Sequence, residues 1–305
     1  MRHRHLILVI LFLGVSTGRA TDIHCKAGSK GLSFLKVGLG ARAAALGGAY
    51  VAAADDATGP LWNPAGLTAV DGPELVFVHS QWFQDVRSEF VGGAVKNGEN
   101  GFGFGFLMST VGEIEQRAPE TGKLIGTFSA YDIALSGAYA RKVRDEVSLG
   151  LTLKVLYEKM YVYSSSGIAL DLGVRIAPGI DDLSVGAVLQ NIGRMGAMRD
   201  EETPLPFTAK AGVAYCVGAE SLKGTLLLTA DISKASDYWT TVHTGLEYRL
   251  DRRLALRGGY SFGQDERSFS AGIGLAFNIY RLDYAYAPFD LDLGDTHRVG
   301  FSISL

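Results

Sequence analysis

The chain has 305 residues with 29 basic against 32 acidic side chains, 20% charged residues in all, and 39 glycines beside 13 tyrosines and 15 phenylalanines. This balance lacks the basic surface that nucleic acid demands, so that class of partner is excluded. Abundant glycine and aromatic residues with few charges suit strands that approach closely and present rings to a membrane interface.

Met1–His5 carries Arg2 and Arg4, Leu6–Val15 is apolar, and Gly18–Ala20 places small residues around a cleavage point after Ala20. This is the layout of a secretory signal peptide over residues 1–20, and its apolar run falls short of the roughly 18 residues that a membrane anchor needs. Cys25 follows Asp22 and His24, which do not form the apolar, small-residue box that lipidation needs. Cys25 precedes the strands and Cys216 lies in the middle of one, so two free thiols are expected.

Residues 21–72 read as a separate unit. Ala41–Ala54 is rich in Ala and Gly, carries Arg42, and leads through Asp55 and Asp56 to Trp62, Asn63, Pro64, Ala65 and Gly66. The alanines favour a short helix that Gly47 and Gly48 weaken, and Asn63-Pro64 marks a turn. A segment of this kind ahead of a barrel folds into its lumen as a plug or hatch. Arg42, Asp55 and Asp56 are then its charged residues, obliged to pair or meet water. They suit either a salt-bridged plug core or a latch. Asn63 ties the Trp62–Gly66 turn to the wall and Pro64 fixes it, so the hatch and gating candidates are Arg42, Asp55, Asp56, Trp62, Asn63 and Pro64.

Residues 73–305 carry the period of 2 that sorts side chains to alternate faces of a strand. Phe102, Phe104, Phe106 and Met108 alternate with Gly101, Gly103, Gly105 and Leu107, and Asn97–Asn100 is the turn back to a partner at Ser88–Lys96. Strands are expected near 74–83, 87–97, 101–110, 128–141, 145–158, 166–177, 181–191, 206–218, 223–234, 239–250, 252–262, 266–277, 279–288 and 296–305. Fourteen is an even number, as bacterial barrels require. The long connections, Val111–Thr127, Lys159–Ser165, Ile192–Leu205 and Pro288–Asp295, all fall at one end, while turns such as Arg141–Arg144, Pro178–Ile180 and Leu250–Asp251 are short. A soluble β-sandwich would not sort its loops by parity.

The last strand ends on Val299, Phe301, Ile303 and Leu305, alternating with Arg298, Gly300, Ser302 and Ser304. A terminal apolar residue on the lipid face is what outer-membrane assembly machinery reads. The expected fold is therefore all-β: a 14-stranded antiparallel transmembrane barrel with a small N-terminal hatch. The expected location is the outer membrane of a Gram-negative-type bacterium, among its lipids, with both termini periplasmic.

Catalytic and metal chemistry find little support, and no catalytic residue, metal or cofactor is expected. GYSFG at Gly259–Gly263 matches the hydrolase nucleophile pattern around Ser261, but strand, turn and strand replace the strand, turn and helix that the pattern needs. His79, His243 and His297 are scattered over three strands with no carboxylate at a telling spacing. Asp290, Asp292 and Asp295 read as a solvated loop rather than a Ca²⁺ site. Tyr157, Tyr161 and Tyr163, with Tyr280, Tyr284 and Tyr286, read as interface girdle residues rather than a ligand path.

The stretch FLKVGLGARAAALGGAYVAAADDATGPLWNPAGL, Phe34–Leu67, resembles the opening of the PorV/PorQ family of outer-membrane proteins, themselves similar to the FadL long-chain fatty-acid transporters. GDTHR at Gly294–Arg298 resembles the lead-in to that family's last strand. The resemblance implies a hatch built from a small-residue segment, an acidic pair and an Asn-Pro-Ala turn. It implies transport or secretion support at the outer membrane in one of two forms. One is passage of hydrophobic small molecules through the lumen, with an apolar pocket by the hatch and a lateral gap or kinked strand. The other is a protein-interaction role in type IX secretion, with secretion subunits or cargo as partners. A structural porin would need an open, charged pore, which the bare inner face of Gly101–Ser109 disfavours.

Overall fold

The computed structural model describes residues 24–82, 85–219, 223–251, 253–263, 268–289 and 294–305. The expected signal peptide, and Asp290 and Asp292, lie outside the described residues. Fourteen strands close an antiparallel barrel: β1 Glu74–Gln81, β2 Val86–Asn97, β3 Asn100–Arg117, β4 Leu124–Arg144, β5 Val147–Met160, β6 Tyr163–Ile176, β7 Leu183–Met195, β8 Thr208–Ala219, β9 Gly224–Ala235, β10 Thr240–Leu250, β11 Leu254–Phe262, β12 Phe269–Phe277, β13 Tyr280–Phe289 and β14 Gly294–Ser304. Each pairs with its neighbours in sequence, and β14 closes on β1 with Glu74 opposite Ser304 and Gln81 opposite His297. Closure leaves the wall no free sheet edge, the condition for β-structure in hydrocarbon.

The period of 2 decides which residues face lipid. Phe102, Phe104 and Phe106 stand outside and exposed, while Gly101, Gly105 and Leu107 are buried on the lumen side. β14 follows the same rule, with Val299 and Phe301 outside and Arg298 and Ser302 buried within. Tyr157, Tyr161, Tyr163, Tyr280 and Tyr284 are exposed on the outside, where a girdle belongs.

Short turns gather at one mouth, several of them on left-handed residues: Gly98 at φ 59°, Gly179 at 70°, Asp251 at 46° and Asn278 at 54°. The opposite, long-loop mouth departs from the sequence reading. Val111–Thr127 is mostly strand: β3 runs on to Arg117 and β4 begins at Leu124, with Ile114 opposite Phe128 and Glu115 opposite Thr127 beyond a bulge at Glu113. Residues 111–117 and 124–128 are exposed or half-buried on both faces, so no apolar alternation marks these strands. Lys159–Ser165 shrinks to a two-residue turn between Met160 and Tyr163, and Ile192–Leu205 holds the end of β7 and a small hairpin of Ala197–Met198 with Glu201–Glu202.

Residues 24–72 fill the lumen. Helix α1, Ala41–Ala45, stops where Gly47 and Gly48 take φ of 67° and 86°; α2, Gly59–Trp62, and a 3₁₀ turn, Pro64–Ala69, follow before the chain enters β1. Leu46, Tyr50, Ala57, Asn63 and Leu67 are fully buried. The described chain starts at the long-loop mouth, where the His24 ring meets Trp239 edge-on at 4.8 Å, and ends at the short-turn mouth, where Leu305 N donates to Pro73 O at 2.8 Å.

Candidate functional site

Helix α1 aims Arg42 at the wall formed by β10, β11 and β13. Its guanidinium donates from Nε and Nη2 to the two oxygens of Glu247 at 3.0 and 3.2 Å, and from Nη1 to Tyr50 Oη at 2.9 Å and to Asp55. Tyr50 Oη donates to Asp56 Oδ2 at 2.6 Å, and Thr58 N donates to Asp56 Oδ1 at 2.9 Å. In the wall, Glu247 also accepts from Arg249 and Arg257, both at 2.6 Å; Arg257 pairs with Asp283 at 2.6 Å, and Arg281 reaches Asp283 at 3.0 Å and Glu74 at 2.8 Å. Glu74 returns to the hatch by accepting from Ala57 N at 2.8 Å. Charges that would be prohibitive singly are paired, four guanidinium groups among five carboxyl groups.

The protonation states of the hatch follow from this network. Burial opposes ionisation of Asp56, but Arg281, Arg42 and the Thr58 and Tyr50 hydrogen bonds outweigh it, and the carboxyl sits below the usual range. Burial likewise opposes a charged Arg42, yet Asp55, Glu247 and Asp56 hold it fully protonated. The Tyr50 hydroxyl is pushed up, mainly by burial, and remains a donor.

The opposite side of the hatch is neutral. Asn63 Nδ2 donates to Val51 O at 3.0 Å and to Val174 O of β6 at 3.1 Å, while its Oδ1 accepts from Ala65 N at 3.1 Å. Pro64 and Ala65 lie on bare wall: a Cβ on Gly150 would come 2.2 Å from Ala65 N, and one on Gly173 2.1 Å from Asn63 Oδ1. Glycine is needed here for close approach of two backbones, as on the bare inner face of Gly101–Ser109, where a Cβ on Gly101 would come 2.6 Å from the Leu67 backbone. Trp62 joins three parts: Nε1 donates to Leu39 O at 2.8 Å, the ring meets Tyr50 edge-on at 5.7 Å, and Lys210 Nζ of β8 lies 4.9 Å from its centre.

All six sequence candidates thus lie in the hatch, with Arg42, Asp55 and Asp56 in the ion network, Asn63 and Pro64 on the neutral floor, and Trp62 between the two against Tyr50 and Lys210. The sequence reading overlooked Glu247, Arg257, Arg281 and Asp283, their partners. Their signal is a charge at an inward strand position flanked by apolar outward ones, as in Leu246-Glu247-Tyr248, Leu256-Arg257 and Leu282-Asp283-Tyr284.

On the long-loop side of the hatch lies a cavity of about 290 Å³. Trp62 and His243 stand on its inner side with Lys210 and Asp231, and Trp82, Trp239 and Phe289 line it toward the mouth. Asp231 Oδ2 accepts from Tyr50 N and Val51 N at 2.7 and 2.8 Å, holding the hatch beneath it. His243 Nδ1 lies 2.8 Å from Gly47 O and 3.0 Å from Ser261 Oγ, but Ser261 itself donates to Gly47 O at 2.8 Å and sits within β11. The pair pins the glycine turn, and among the described residues Ser261 lies in β11, with strand β12 next, rather than at the strand, turn and helix of a nucleophile elbow. The wall that lines the cavity is irregular at β7: its pairing with β8 ends at Gln190 opposite Thr208, Asn191 takes φ 61°, and the register with β6 shifts between Leu170 and Leu172. Of the expected lateral gap or kinked strand, the irregularity of β7 at Asn191 answers to the second, a register shift of the kind that bends a strand.

The fold is that of known outer-membrane channels. The CymD monoaromatic hydrocarbon channel aligns with TM-score 0.62 and 14% identity over 88% of this chain and 97% of its own. The toluene transporter TodX of Pseudomonas putida aligns with TM-score 0.62 and 13% identity over 87% of this chain and 96% of its own. At this identity the likeness is one of barrel architecture. No curated protein matches the sequence. Residues 14–194, more than half of the chain, match the model of UPF0164, an uncharacterised protein family, and the protein belongs to that family.

Proposed function

We propose that this barrel passes small hydrophobic or amphipathic molecules across the outer membrane, taking them into the cavity beside the hatch and releasing them when the hatch loosens. The cavity carries this reading: aromatic toward the mouth, with Lys210 and Asp231 at its inner side, it suits a ligand with an apolar body and a polar end. CymD and TodX, which share the architecture, are a monoaromatic hydrocarbon channel and a toluene transporter. Arg42, Asp55 and Asp56 serve as a latch in this reading, and Trp62, Asn63 and Pro64 as the pivot on which the hatch rests. No step requires a catalytic residue, metal or cofactor. The short-turn mouth and Leu305 face the periplasm, as in barrels with short periplasmic turns.

The chain has three tryptophans, and Trp62, Trp82 and Trp239 all line the cavity. Titrating purified protein with toluene and with a fatty acid, followed by intrinsic fluorescence, therefore reports directly on occupancy. Saturable quenching by either, together with loss of its uptake in a deletion strain, is expected; an unmoved spectrum with unimpaired uptake sinks the proposal.

A PorV/PorQ-like role in type IX secretion is the alternative. It draws on the β3–β4 hairpin, which projects beyond its neighbours and exposes Leu124 and Ile125. Secretion subunits co-purifying from outer membranes, with uptake intact, would replace the transport reading.

A further inference from the structure

We propose that residues 24–40 form a strap, separate from the hatch, that closes the cavity on its long-loop side and places the N-terminal end of the described chain at that mouth. The contacts climb the lumen in order. Leu39 O accepts from Trp62 Nε1 in the hatch, Gly38 O accepts from Arg298 of β14, and Lys36 Nζ pairs with Asp237, between β9 and β10, at 2.6 Å. Gly31 N donates to Pro204 O, between β7 and β8, at 3.2 Å, and His24 meets Trp239. Asp237, Pro204 and Trp239 all belong to connections at the long-loop mouth, whereas Leu305 is bonded to Pro73 at the other.

The strap has two faces. Leu32, Phe34 and Leu39 bury against Leu107, Leu156, Met195 and Leu205, while Leu35, Lys36 and Val37 line the cavity. It is thus one wall of the cavity, held by an ion pair, an apolar face and scattered hydrogen bonds rather than by a strand ladder. Withdrawing it breaks no barrel pairing, while withdrawing the hatch uncovers Glu247 and Arg257. Two closures of unequal strength stand in series: a lightly held strap toward the loops and an ion-bonded hatch toward the short turns.

The placement is tested with thiols. Cys216→Ser leaves Cys25 as the reporter of the strap, and a Cys25→Ser, Cys216→Ser protein carrying Thr121→Cys reports the tip of the β3–β4 hairpin. A maleimide too large to cross the outer membrane should treat the two alike on intact cells; one reacting while the other is protected overturns the threading. Closure is tested by a lock: a Cβ on Gly31 would lie 3.3 Å from Thr203 Cβ, within reach of a disulfide. In Gly31→Cys, Thr203→Cys protein, also lacking the native cysteines, acrylamide should quench the cavity tryptophans about twofold less when oxidised than when reduced. Equal quenching in both states, with the disulfide verified by mass, overturns the gate. The inference rests on the cavity described under the proposed function, but neither test needs a transported ligand, so a failure of transport remains distinguishable from a failure of the strap.

Discussion

The hatch is held by unlike means on its two sides. Toward β10, β11 and β13 it is fastened by charge, through Arg42, Glu247, Arg257 and the acids around them. Toward β5 and β6 it is fastened by shape, with Pro64 and Ala65 against glycines and Asn63 supplying neutral hydrogen bonds. A fastening by charge depends on pairing and on protonation; one by shape depends on volume and is indifferent to pH. A hatch with one of each can release on one side and pivot on the other.

The largest effect is expected from Glu247→Gln. The change is nearly isosteric, but it strips a buried carboxylate from both Arg42 and Arg257, and loss of one partner from a buried ion pair costs about 3–5 kcal/mol. Limited proteolysis of the detergent-solubilised protein should cut the hatch region much faster than in wild type, while heat-modifiable mobility shows the barrel still closed. A hatch as resistant as wild type would mean that the charged side is not its fastening.

Gly150→Val tests the other side. The new side chain would overlap the Ala65 backbone, and overpacking of this kind costs about 1–3 kcal/mol. Proteolysis should again accelerate, but by less, and with the same rate at pH 5 and pH 8. A strong pH dependence would show that the two sides are not independent.

The pH response follows from Asp56. Its carboxyl titrates below the ordinary value when folded, so it adds stability at every pH above the ordinary carboxylate range, about 3.9, and that stability is lost as pH falls further, through the folded value. Tryptophan fluorescence, with Trp62 seated on the hatch, should carry a component in acid below about pH 4 that belongs to Asp56. Asp56→Asn should remove that component; an acid-side change that persists in the variant would assign it to another group.

Much of this arrangement was legible in the residues. The period of 2 in Gly101–Ser109 and in the last strand gave the wall, and the small residues, acidic pair and Asn63-Pro64 gave the hatch. The β3–β4 extension was not legible, because a hairpin exposed or half-buried on both faces has no apolar alternation. Glu247, Arg257 and Asp283 were hidden for another reason: each lies in a separate strand, more than 200 residues beyond Arg42, and only barrel closure brings them together. The strap was hidden because its contacts with Asp237, Pro204 and Trp239 join stretches unrelated in sequence.

The smallest effect is expected from Asp55→Asn, and it is the sharpest control. Asp55 and Glu247 bind the same guanidinium, but the Asp55 side chain is 44% exposed and that of Glu247 only 1%. Water already screens Asp55, and an exposed pair is worth about 1 kcal/mol or less. When Asp55 is neutralised, Arg42 keeps its bidentate contact with Glu247 and its bond to Tyr50. Proteolysis of Asp55→Asn should therefore stay within about fivefold of wild type, the kinetic equivalent of that energy when cleavage follows local opening. If instead it matches Glu247→Gln, burial is not what separates the two carboxylates, and the latch depends on the total charge around Arg42 rather than on the wall partner.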